Sequence, residues 1–97
     1  MNNNNTIVPG FDDENDDSLK ISLEKIDSVP SGLRIYLSGY IDTYNSSFFQ
    51  KKIAKVVDSG FINLIFNCSA LSYVSSTGIG SFTSFLKMIK PKGGDIV

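Results

Sequence analysis

The chain has 97 residues, 41% of them apolar, with a single cysteine, no histidine and no tryptophan. That is room for one small domain with a thin stability margin, with no intrachain disulfide and no histidine for metal binding or acid–base work. The net charge of −1 is unevenly spread: residues 1–18 hold five acids and no cation, whereas the remainder holds nine cations against five acids, an excess too small for a nucleic-acid-binding stripe.

Residues 1–17 are Asn-rich, then acidic, and lack apolar periodicity, which predicts a disordered acidic tail ahead of a domain spanning 18–97. The N-terminus has neither the basic start nor the apolar core of a signal peptide. No apolar run approaches the roughly 18–20 residues of a membrane span. A reducing cytoplasm is the expected location. Leu19-Lys20-Ile21-Ser22-Leu23-Glu24 alternates apolar and polar residues, as a strand with one buried face does. Turn chemistry follows in Asp27–Gly32, and alternation resumes in Leu33–Ser38, so the two strands read as an antiparallel hairpin.

The period then changes. Phe49, Ile53, Val56 and Val57 recur at helical spacing, with Lys51, Lys52 and Lys55 mainly on the other face. Thr43, Asn45 or Ser46 are the candidate caps of this helix, and Ser59-Gly60 ends it. Phe61–Phe66 is a nearly continuous apolar run, suited to a central strand buried on both faces. Cys68, beside that run, reads as a small core residue. Strand, helix and strand in this order predict a right-handed crossover with parallel pairing. A second amphipathic helix carries Ile79, Phe82, Phe85, Leu86 and Ile89 and stops at Pro91; Gly93-Gly94-Asp95-Ile96-Val97 enters another strand.

The segment Ser75-Ser76-Thr77-Gly78-Ile79-Gly80 falls where a buried strand hands over to a helix. In α/β sheets the crevice beyond the carboxyl ends of the strands is the usual place for function. A helix start offers unpaired N–H groups and the positive end of the dipole, both welcoming to a phosphoryl group. Gly78 and Gly80 remove side-chain bulk, so a partner can approach the backbone. Ile79 between them points into the core or out as an apolar contact. From the residues alone capping is the plainer reading of three hydroxyls before a helix, and it is compatible with phosphorylation.

The order of these elements resembles the STAS family, the domain of bacterial anti-sigma factor antagonists. The matching stretches are Ser38-Gly39-Tyr40-Ile41-Asp42 at the end of the hairpin, the strand Asn63–Ser69, and Tyr73-Val74-Ser75-Ser76-Thr77-Gly78-Ile79-Gly80 leading into a helix, with the terminal Gly-Gly-Asp-Ile-Val resembling the start of the family's next strand. The resemblance covers residue 18 to the end. It implies an α/β fold, a mixed sheet with helices mainly on one face. It also implies that the C-terminal part of the domain is missing, which leaves an open sheet edge available for self-association.

In function, the resemblance implies an anti-sigma factor antagonist, a partner-switching regulator of transcription. In that family a serine at the position of Ser76 is phosphorylated by a kinase that is also the anti-sigma factor, and a phosphatase reverses it. The unphosphorylated form docks on the kinase. The resemblance places the docking surface on Ser75, Thr77, Gly78, Ile79 and Gly80, joined by Asp42, Tyr44 and Asn45 from the loop after the hairpin. For Asp42 the alternative is a loop acid or helix cap. Ser75 and Asn67 stand where the family commonly has Asp. Two other readings remain: a STAS scaffold of a transport or stress-signalling assembly in which Ser76 only caps a helix, and, less favoured, a nucleotide-binding protein. No catalytic residue, metal or cofactor is expected, because no Walker-type loop or metal-ligand cluster is present.

Overall fold

A computed structural model describes residues 4–97. The elements run α1 (Asn4–Ile7), β1 (Leu19–Ile26), β2 (Gly32–Ile41), α2 (Ser46–Asp58), β3 (Asn63–Val74), α3 (Ser76–Ile89) and β4 (Asp95–Ile96). The sheet order is β1-β2-β3-β4. β1 and β2 form the expected antiparallel hairpin, in register from Leu19 opposite Gly39 to Ile26 opposite Gly32. β2 and β3 are parallel, as the intervening helix requires, and β4 joins parallel to β3 through Asn63 and Leu64.

Alternation explains the core. Leu19, Ile21 and Leu23 of β1, Leu33, Ile35, Leu37 and Ile41 of β2, and Leu64 of β3 are buried on one face, where Phe49, Ile53 and Val56 of α2 and Phe85 of α3 meet them. Phe49 sits among Phe66, Phe82 and Phe85 at ring-centroid distances of 6.3, 5.5 and 5.2 Å, all edge-to-face. Such pairs add about 0.5–1.5 kcal/mol each beyond the area they bury.

The opposite face of the sheet is open. It carries Glu24 bonded to Arg34 at 2.5 Å and to the Tyr36 hydroxyl at 3.0 Å. It also carries Tyr40 across from Tyr73. This corrects the expectation of a strand buried on both faces: of β3 only Leu64 is fully buried, because the helices form a single layer. It also moves Cys68 out of the core. The residue is exposed, and partial desolvation pushes its thiol pKa up rather than activating it.

The second correction concerns the acidic tail. Met1–Asn3, where the expected disorder begins, lie outside the described residues. Residues 4–17 are folded against the domain. Asn4 is buried, and its carboxamide imitates a strand: Nδ2 donates to the Ile21 carbonyl and Oδ1 accepts from the Leu23 amide, both at 2.8 Å. Val8 and Phe11 enter the core. Lys52 is buried beneath them, donating to the Phe11 carbonyl with its ammonium 4.5 Å from the Phe11 ring centre, and Lys55 donates to the Gly10 carbonyl. Burial pulls the Lys52 pKa down, an effect that neighbouring Lys55 reinforces and that Asp12, Glu14 and Asp13 oppose. A few apolar side chains, one buried amide and two lysines of α2 thus seat a stretch whose composition is that of a disordered one.

Phe49 is the hub of the aromatic cluster. Phe49→Ala is expected to destabilise the fold by about 3–5 kcal/mol, read from the urea midpoint.

Candidate functional site

The parallel strands β2 and β3 end in register, Ile41 opposite Val74, and the Ser75 amide donates to the Ile41 carbonyl at 2.8 Å. Asp42 and Ser75 therefore leave the sheet side by side at its carboxyl end.

On the β3 side, Ser75 is the N-cap of α3. Its backbone is extended and its buried Oγ accepts from the Gly78 amide at 3.1 Å. The Ile79 amide donates to the Ser75 carbonyl at 3.0 Å. A single hydroxyl thus does the capping, and Ser76 and Thr77 stand exposed at the first two helical positions, their amides without partners inside the helix. Ile79 is 61% exposed, which settles its direction as outward.

The two glycines differ. A Cβ on Gly78 would lie 2.8 Å from Ile41 Cγ2 and 2.9 Å from Val74 Cγ1, so Gly78 lets α3 press against the sheet. A Cβ on Gly80 would meet nothing within 4 Å. One turn on, buried Ser81 accepts from Gln50 Nε2 at 2.9 Å and donates to the Thr77 carbonyl at 3.2 Å, tying the start of α3 to α2.

On the β2 side, Asp42 Oδ1 accepts from the amides of Tyr44 and Asn45, both at 2.9 Å, closing a turn that displays Tyr44 at 94% exposure. Asn45 occupies the N-cap position of α2 but its side chain makes no capping bond. Instead Oδ1 accepts from the Asp42 amide at 2.8 Å, while Nδ2 donates to the Tyr40 carbonyl at 2.9 Å and to Ser18 Oγ at 2.8 Å. Asn45 is buried, at 2% exposure.

Among the expected site residues, then, Ser76, Thr77, Ile79, Gly80 and Tyr44 are on the surface, with Asp42 half-buried behind them. Ser75, Gly78 and Asn45 are buried and act on the scaffold. Sequence reasoning passed over Tyr40 and Tyr73, which face each other across the ends of β2 and β3. It also passed over Ser18, which grips the same corner: its carbonyl accepts from the Tyr40 amide at 3.0 Å. The approach needs Gly39, at φ +110°, where a Cβ would lie 2.1 Å from the Ser18 oxygen. The signal for the tyrosines was their place on the polar face of an alternating strand. Among the described residues no cluster of His, Cys, Asp or Glu is fit to hold a metal ion, and no helix is long and apolar enough to cross a membrane.

Residues 20–97 match the family model described as the STAS domain. The anti-sigma-B factor antagonist of Bacillus subtilis is 30% identical over 64 residues, covering 66% of this chain and 58% of that protein, so the chain matches less than two thirds of this relative's length. The anti-sigma factor antagonist SpoIIAA in its unphosphorylated form superposes with a TM-score of 0.65 at 22% identity, over 79% of this chain and 69% of its own. An anti-sigma factor antagonist from Mycobacterium paratuberculosis gives 0.66 at 21%, over 78% and 62%. A STAS domain from Rhodobacter sphaeroides gives 0.68 at 7%, over 84% and 86%. At these identities the structures speak for the fold.

The glycine contrast is directly measurable. Gly78→Ala is expected to cost about 1–3 kcal/mol by overpacking. Gly80→Ala is expected to stabilise by up to about 1 kcal/mol through helix propensity. Urea denaturation of both variants reads the two signs.

Proposed function

The chain belongs to the STAS domain family, and from that premise we propose that it is an anti-sigma factor antagonist, a cytoplasmic partner-switching module controlled by phosphorylation of Ser76. The family is non-enzymatic, so the chemistry is supplied by the partners: a serine kinase that doubles as anti-sigma factor, and a phosphatase.

The observation that carries this reading is the division of labour between neighbouring serines. Ser75 caps α3, so the Ser76 hydroxyl is spared that task and lies exposed. This counts against the scaffold reading in which Ser76 does nothing but cap. Around it, Ile79 and Tyr44 offer exposed apolar and aromatic surface, the combination that anchors protein interfaces. Phosphorylation would add about −1.5 to −2 charges and three acceptor oxygens. On the free protein the helix N-terminus would favour that charge. Inside a docked interface the same group would have to be desolvated, at a cost of several kcal/mol. The modification therefore separates partners without unfolding the domain.

Incubation with the anti-sigma serine kinase of its pathway and ATP is expected to place one phosphate on Ser76, mapped by mass spectrometry and lost in Ser76→Ala. Ser76→Asp is expected to weaken kinase binding roughly tenfold or more, with its thermal midpoint close to wild type. Phosphate on Thr77 instead, or equal affinity of the Asp and wild-type forms, would sink the assignment.

A further inference from the structure

The Asn45 carboxamide uses both of its N–H donors, to the Tyr40 carbonyl and to Ser18 Oγ, and its oxygen accepts from the Asp42 amide. The last of these bonds leaves the site altogether. Ser18 Oγ, while accepting from Asn45, donates to Asp16 Oδ1 at 2.5 Å, and the Ser18 amide donates to the same oxygen at 2.8 Å. Those bonds hold the Asp16 carboxyl below the ordinary range. Asp16 belongs to the N-terminal segment, anchored at its far end by Asn4 on the edge of β1 and between by Val8, Phe11, Lys52 and Lys55.

We propose that Asn45 is a positioning residue, and that through the chain Asp16–Ser18–Asn45–Asp42 the docking of the N-terminal segment sets the turn that presents Tyr44 to the partner. The segment is the element with two states, seated or released. The Ser18 backbone is held by the Tyr40 amide; seated, the segment adds Asp16, which accepts the Ser18 hydroxyl hydrogen bond and so aims the oxygen lone pairs at the Asn45 amide. Released, it takes Asp16 away, the Ser18 hydroxyl is free to rotate, and the buried Asn45 donor loses its fixed acceptor. The Asp42–Asn45 turn is built on that amide, so it loosens with it. An acidic segment lying over two lysines of α2 is thereby made an internal regulator of the partner face. The part of this inference that concerns binding rests on the partner-switching reading above; the coupling within the chain does not.

Amide hydrogen exchange on the whole chain tests the coupling. Ser18→Ala removes the link and leaves Asn45 its other two bonds. It is expected to speed exchange of the Tyr44 and Asn45 amides about fivefold, the size of one hydrogen bond, while the Phe85 amide keeps its rate. Asn4→Ala acts at the opposite end of the segment. It is expected to speed the Leu23 amide and, through release of the segment, the Tyr44 and Asn45 amides as well. If Asn4→Ala frees Leu23 and leaves Tyr44 and Asn45 unchanged, the segment is not coupled to the turn and the proposal fails. In calorimetry with the anti-sigma kinase, Ser18→Ala is expected to bind about three- to tenfold more weakly than wild type. Equal affinity despite faster exchange would overturn the claim that the coupling reaches the partner. If wild type itself does not bind the kinase, the partner-switching reading fails, and the exchange rates still decide the coupling.

Discussion

Everything at the carboxyl end of the sheet follows from how closely the first turn of α3 approaches β2 and β3. Gly78 lies against Ile41 and Val74 with no room for a methyl group. The Ser75 amide is bonded to the Ile41 carbonyl in the same corner. With the helix start pinned there, Ser75 is turned inward to cap it, and the next two hydroxyls are turned out. A helix displaced by the width of a methyl group would open this corner, and the distinction between one structural serine and one free serine would blur. The surface chemistry of the site is thus the outward consequence of an inward packing constraint.

The regular elements were legible because their signals are local. Leu19–Glu24 and Leu33–Ser38 alternate, Phe49–Val57 repeats at the helical period, and the order of strand, helix, strand leaves little choice but a parallel crossover. What was not legible depended on distant partners. An apolar run such as Phe61–Phe66 reads alike whether helices cover one face of its strand or both, and Cys68 went astray for that reason. The irregular pairing of β3 with β2, which skips a residue near Tyr36 and again after Gly39, further separates burial from simple alternation. The N-terminal segment misled for a different reason. Its anchors are few and widely spaced in a polar run, and Asn4 is buried only because a strand edge happens to lie across from it.

Within the candidate site, the residue types were visible and their roles were not. Ser75, Ser76 and Thr77 are equivalent as letters; the N-cap geometry assigns the first to structure. Gly78 and Gly80 share a motif and serve opposite needs. Asn45, expected on the surface or as a cap, serves as a buried joint between two loops and the segment before β1. These are differences of tens of degrees and tenths of an ångström, which no periodicity encodes.

The seat of Asn4 on β1 has a consequence for assembly. A sheet whose two outer strands both expose free amides and carbonyls can add copies at each side without limit, which is the geometry of a filament. Here the side chain of Asn4 occupies the Ile21 carbonyl and the Leu23 amide, so one side of the sheet is stoppered. A strand arriving at β1 would first have to displace that carboxamide. A single carboxamide, inserted where a neighbouring strand would lie, thus guards that edge against the addition of another chain.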